Sequence, residues 1–163
     1  MHLHSKFKFR IAMPIAMTLF VLVLLGFIIG SFIDGSITPS IGIFAFMLFF
    51  IFLLIWIVFG ELRTKVIRVE LKDDAVMVSS YLGLGKKRMY NLTQFEGFET
   101  AILPSNYDKY EYLYLMTNGK KVVKLSQFYH KNYNELKTVI EGTVTNLGEK
   151  SFSMIEEFKE IFQ

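Results

Sequence analysis

From Ile11 to Gly60 the chain carries a single charged side chain, Asp34, and so long an apolar stretch belongs in a bilayer more readily than in a water-soluble core. The stretch divides into two uncharged runs. Ile11 to Ile33 spans 23 residues and Ile41 to Phe59 spans 19, and either covers about 30 Å of hydrocarbon as a helix. Fifteen side chains of the second run are Ile, Leu, Phe or Val. At roughly −0.3 to −0.6 kcal/mol each, they favour insertion by several kcal/mol. The first run begins behind Lys6, Lys8 and Arg10, as a signal peptide would, but its apolar core is too long and no small-x-small cleavage site follows it. The sequence therefore predicts two retained transmembrane helices. Between them, Asp34 to Ser40 is too short for a domain, and Gly35 and Pro39 break helix geometry, so the spans form a hairpin.

Orientation follows from charge. Lys6, Lys8 and Arg10 precede the first span, Arg63, Lys65 and Arg68 follow the second, and the link has no positive charge, which predicts that both termini and the soluble part are cytoplasmic. Trp56 suits the interface at the end of the second span. Gly26 and Gly30 share a helical face at the spacing that lets a second backbone approach. That face serves either packing within the hairpin, against Gly42 and Ala45, or a homodimer. Asp34 lies in the link, so neither span holds an ionisable residue of the kind that marks a channel or transport path.

Four regions result: a basic tail over residues 1–10, the hairpin over 11–60, a soluble domain over 61–148 and a C-terminal amphipathic helix over 149–163. The net charge of +3 invites a nucleic-acid reading. However, residues 1–10 hold three basic side chains and no acidic one, whereas residues 61–163 hold fifteen basic and fourteen acidic ones. A nearly neutral soluble part argues against nucleic acid. The absence of cysteine removes disulfides and thiol chemistry. His2 and His4 lie in the tail, read as mobile, and no pair of histidines has metal-ligand spacing on a helix, so no metal or other cofactor is expected.

Past Gly60 the pattern alternates with period two. Strands are predicted over Val66–Leu71, Ala75–Tyr81, Lys86–Leu92, Phe95–Ile102, Glu111–Thr117 and Lys120–Leu125. Asp73-Asp74 turns between the first two. A polar loop covers Leu103 to Tyr110, and Asn118-Gly119 is the strongest hairpin signal because both residues tolerate positive φ. Six such strands imply an antiparallel sandwich or barrel. A helix is predicted over Tyr133–Leu147, with Asn132 and Glu135 as a capping box, Tyr133, Leu136, Ile140 and Val144 on one stripe, and Gly148 as its stop. A second helix covers Met154–Phe162, with Ser153 and Glu156 as its capping box and Ile155, Phe158, Ile161 and Phe162 on one face, for the core, a membrane surface or a partner. The part from about Lys65 onward is expected to fold without the anchor.

Two spans, about six antiparallel strands and a closing helix resemble the bacterial pleckstrin-homology-like (PH-like) membrane proteins. The similarity covers most of the chain. Its more specific part is Val66-Ile-Arg-Val-Glu-Leu-Lys-Asp-Asp-Ala-Val-Met-Val78, Gly83-Leu-Gly-Lys-Lys-Arg88, Leu113-Tyr-Leu-Met-Thr-Asn-Gly-Lys-Lys-Val122 and Ser126-Gln-Phe-Tyr-His-Lys-Asn-Tyr133. The resemblance implies a membrane-anchored α+β architecture in which a partly open β-barrel plugged by the helix acts as a binding or scaffolding module. Phosphoinositide-binding relatives place basic residues around the first hairpin loop. Here that loop, read as Asp73-Asp74, repels phosphate.

No catalytic motif is present, and Gly83-Leu84-Gly85-Lys86 lacks the length and the following Ser/Thr of a phosphate loop. The candidate site is a basic patch: Lys86, Lys87 and Arg88, with Lys120, Lys121 and Lys124. It serves either edge protection and solubility or contact with an anionic lipid leaflet. The leading expectation is a non-enzymatic module on the cytoplasmic face of a bacterial membrane, associating with itself or with other membrane proteins. The alternatives are an auxiliary subunit of a transporter or envelope enzyme, and an enzyme on a lipid-like substrate.

Overall fold

The computed structural model describes residues 2–103 and 108–160. Two apolar helices dominate the first half. After a single 3-10 turn at Phe9–Ile11, α1 runs over Ala12–Ile33; α2 runs over Ile41–Ile55 and continues as a π-helical segment, Trp56–Leu62. Counted with these extensions, the helices are 25 and 22 residues long, enough to cross a membrane. Gly35, with φ of 74°, reverses the chain, and the Ser40 hydroxyl accepts from the Ile43 N–H to start α2. Phe32 stacks on Phe44 at 6.2 Å where the helices meet.

Inside the hairpin, α1 buries Val21, Leu25, Ile28 and Ser31, a stripe at helical spacing. Gly26 and Gly30 are exposed, and a Cβ built on either meets nothing within 4 Å. Gly42 and Ala45 are exposed as well. The hairpin therefore does not pack through these residues. Val21, Leu25, Ile28 and Ser31 are the buried side, and the glycine face looks outward.

The segment expected to be a mobile tail is the first strand of a sheet. His2–His4 forms β1, which pairs antiparallel with β2, Arg68–Lys72, so that His4 faces Glu70. Beyond the strand, Ser5 N–H donates to the Val69 carbonyl at 2.7 Å and Val69 N–H donates to the Ser5 hydroxyl at 2.9 Å. Lys8 N–H donates to the Tyr129 carbonyl and Lys131 N–H to the Lys6 carbonyl. Both ends of the hairpin thus enter one domain.

That domain has two four-stranded sheets. The first is ordered β1-β2-β3-β4, with β3 at Ala75–Ser79 and β4 at Lys87–Asn91. Asp73, at φ of 49°, makes the β2–β3 turn. The second is ordered β7-β6-β5-β8, with β5 at Gly97–Leu103, β6 at Tyr110–Thr117, β7 at Lys120–Ser126 and β8 at Asn146–Lys150. Asn118 and Gly119 both have positive φ, as their hairpin requires. Of the predicted loop after Leu103, Pro104, Ser105 and Asn106 lie outside the described residues.

The helix α3, Tyr133–Glu141, buries Tyr133, Leu136 and Ile140 against Phe98, Leu113 and Leu125 between the sheets. It stops earlier than the expected Leu147. Gly142 caps it, and the β-branched run Thr143-Val144-Thr145 resists helix, yet Val144 still reaches the core from the turn. The chain then returns as β8, parallel to β5, so the second sheet is mixed and not wholly antiparallel. Gly97 permits this: a Cβ there would lie 2.4 Å from Leu147 Cγ. Gly148 is a strand residue with φ of 105° and not a helix stop.

Asn132 makes no cap. Its side chain is taken by the N-terminal segment, accepting from Lys6 N–H at 2.7 Å and donating to the His4 carbonyl at 3.0 Å. Beside it, His130 is fully buried, with Nε2 2.9 Å from the Ile67 carbonyl and Nδ1 2.9 Å from the Ser126 carbonyl. Burial, aided by the charge of Lys8, outweighs these carbonyls and pushes the imidazole pKa down. A group whose pKa falls on folding stabilises the neutral form, so the unfolded chain binds the extra proton as the solution is acidified. Stability should fall as pH drops from about 7.5 to about 5.5, through the unfolded histidine value near 6.5. Urea midpoints of the full chain in detergent test this, and a midpoint constant across that window would refute it.

Candidate functional site

Strands β4 and β7 are edge strands of different sheets, and a cleft of about 360 Å³ opens between them. Strand pairing decides which cations enter it. Arg88 sits opposite Val78, and Tyr90 opposite Val76, so Arg88 and Tyr90 share the core-facing side of the first sheet, while Lys87 and Met89 take the other side. Lys86, Arg88, Lys120, Lys121 and Lys124 line the cleft, but Lys87 does not. The lining also includes Ile67, Val78, Val122 and Val123, together with Arg63 and Thr64 directly beyond the second apolar helix. Arg63 was read from the sequence only as an orientation signal; its closeness to β4 and β7 has no local signature.

Two of these lysines are neutralised from the C-terminal side. The helix α4, Met154–Glu160, lies against the outer face of the second sheet, near Phe152, which packs on Tyr112. Lys121 pairs with Glu156 at 2.8 Å, and its ammonium stands 4.2 Å from the Tyr114 ring centroid. Lys124 and Glu157 form a buried ion pair over the rings of Tyr112 and Tyr114. Glu157 also reaches Lys65 at 3.0 Å, and Lys65 reaches Glu61 at 2.6 Å. The Tyr129 hydroxyl donates to Glu61 at 2.9 Å. The last turn of the apolar hairpin, the sheet and α4 thus meet in one buried network.

The electrostatics of this network are mutually supporting. Burial alone would lower the Lys65 ammonium, but Tyr112, Glu61 and Glu157 outweigh it and hold its pKa above the usual lysine value. Burial would raise Glu157, yet Lys124 and Lys65 prevail and hold it below the usual carboxylate range. Tyr112, desolvated between them, is pushed up to about 12. Lys65, Glu157 and Tyr112 therefore each keep one protonation state across the physiological range, which suits a structural clasp better than proton transfer.

Among the described residues, no group of three or more His, Asp or Glu side chains is placed to hold a metal ion. Of the apolar face predicted for the last helix, Ile155 and Phe158 are described, whereas Ile161 and Phe162 lie outside the described residues. The Glu156 N–H to Ser153 hydroxyl distance of 3.5 Å gives that helix a long cap. Comparison with protein-family models, with curated proteins and with solved structures finds no match.

Proposed function

We propose that the chain is a membrane-tethered, PH-like binding and scaffolding module, held against the cytoplasmic face of a bacterial membrane, with its basic cleft toward the anionic leaflet. The observation that carries this reading is the double attachment of the sheet domain: β1 and Lys8 hold it before the first apolar helix, and Glu61, bonded by Tyr129, and Lys65, paired with Glu157, hold it after the second. A domain so attached has a defined orientation, and orientation is what a scaffold supplies to its partners.

Other features support the reading. Apolar side chains exposed along α1 and α2, including Phe20, Phe27, Phe46 and Leu48, form a surface far beyond what a soluble monomer leaves in water. Seven strands in a four-plus-three order followed by α3 are the arrangement expected of a PH-like domain, with β8 added at one edge. In this arrangement the apolar hairpin itself is the connection between the first two strands, and Asp73-Asp74 belongs to the second connection. The acidic turn therefore does not occupy the place assigned to it from sequence. Lys86, Arg88 and Lys120 at the cleft mouth, with Arg63 beside the second helix, offer about 1 kcal/mol each toward an anionic leaflet.

Affinity capture of the tagged full chain in mild detergent, combined with reporter fusions after Gln163 and within the link, tests the proposal. Cytoplasmic C-terminal signal, an external link and recovery with itself or a membrane protein at a fixed ratio are expected. An external C-terminal signal would overturn the orientation, recovery of the monomer alone would overturn scaffolding, and a stoichiometric transport or envelope-enzyme complex would make the chain an auxiliary subunit.

A further inference from the structure

We propose that α4 lies in the interfacial layer of the same leaflet, beside the end of the second span, and binds lipid through Met154, Ile155 and Phe158. The proposal rests on the reading of α1 and α2 as membrane spans and extends it to a third lipid contact. Depth is the first argument. The Phe158 ring lies 5.6 Å from that of Trp56, and Trp56 lies 6.4 Å from Phe52 within the helix, so an aromatic ladder passes from the apolar helix onto α4. Trp56 precedes Arg63 by seven residues. At about 1.5 Å per residue this places the Trp56–Phe158 contact on the order of 10 Å deeper along the span axis than the first cation of the domain. That is the level where amphipathic rings and interfacial helices settle.

The two faces of α4 give the second argument. Its polar side is spent on the domain, with Glu157 clasped by Lys65 and Lys124 and Glu156 by Lys121. Its apolar side is left outward, where Met154 is 71% exposed, Ile155 70% and Phe158 40%. This surface continues the exposed apolar side chains Phe52, Ile55 and Phe59 of the second span, so one medium covers both, and for the span that medium is lipid. Charge agrees as well. Glu156 and Glu157, which an anionic leaflet would repel, are already neutralised by lysines, and those same pairs hold the described turns of α4 against the domain.

The chain has no native cysteine, so one introduced thiol is its only one. The full chain, reconstituted in vesicles of neutral and anionic phospholipid, is labelled with an environment-sensitive dye at Ile155→Cys, at Leu48→Cys in the span, or at Glu149→Cys on β8. Spin-labelled lipid chains serve as quenchers. Ile155 is an exposed side chain, so the substitution leaves the fold intact. The expected result is a blue-shifted dye at position 155, quenched by shallow spin labels, alongside deep quenching at 48 and none at 149. Water-like emission at 155 with quenching at 48 would overturn the proposal while leaving the spans in place. No quenching at either position would overturn the spans themselves. Blue-shifted emission at 155 that lipid labels cannot quench would mean that protein covers α4, and would equally overturn it.

Discussion

A chain truncated to begin at Lys65 is expected not to fold cooperatively. Removing residues 1–8 deletes β1 and with it the Ser5–Val69 pair of bonds, Lys8 N–H to Tyr129, Lys131 N–H to Lys6, and both bonds of Asn132. These are six hydrogen bonds, at about 0.5–1.5 kcal/mol each. Their loss amounts to roughly 3–9 kcal/mol, against a usual domain stability of about 5–15. Buried Asn132 loses both side-chain partners, and the face of the His130 ring that packs on Phe7 at 5.4 Å is uncovered. A second chain, in which residues 1–8 are joined to Lys65 by a short flexible link in place of the hairpin, should recover a cooperative transition by circular dichroism and urea titration. Equal stability of the two chains would show that the N-terminal strand is dispensable.

Substituting Glu157→Gln should cost about 3–5 kcal/mol, because it leaves Lys65 and Lys124 buried with too little opposing charge. The loss should be far smaller when Lys124→Met accompanies it, since removing a buried pair together is often close to neutral. Thermal unfolding of the full chain in detergent, measured for both singles and the double, gives the coupling directly. Its pH dependence has a defined sign. Glu157, with a depressed pKa, contributes above the unfolded carboxylate value near 4.3 and loses that contribution on acidification; Lys65, with a raised pKa, loses its share only above about 10.4. The difference between wild type and Glu157→Gln should hold from about pH 5 to 10 and shrink in acid. Additive single substitutions would show that the ions do not act as a unit.

Local signals account for what could be foreseen. The hairpin follows from run length and charge, Asn118-Gly119 from backbone freedom, and the Tyr133, Leu136 and Ile140 stripe from helical spacing, each within a window of a few residues or one run. What escaped is held by partners far along the chain. His2–His4 is too short to show a period, and its strand exists because β2 is present to pair with it. Asn146–Lys150 is exposed and has one large apolar side chain, Leu147, so its composition does not mark β8; the room left by Gly97 does. Asn132 has the type and position of a cap and is diverted by Lys6 and His4. Within the basic patch, adjacency was legible but facing was not. One step of strand alternation sends Lys87 away from the cleft that Lys86 and Arg88 enter, and two of the remaining lysines are answered by carboxylates more than thirty residues away.

The insertion of the hairpin between β1 and β2 bears on the order in which the molecule is made. Residues 2–4 are synthesised before their partners 70–72, which follow only after both apolar helices. The sheet's first strand thus waits, unpaired, until both apolar helices are made. Once the helices close on each other, they bring the two ends of a connection of over sixty residues together, and much of the loop-closure cost of that long-range pairing is met by the helix contact and not by the sheet. A chain whose helices fail to close keeps an open strand edge, the kind of surface that invites aggregation and proteolysis. Completion of the sheet domain therefore reports that the two helices have closed on each other.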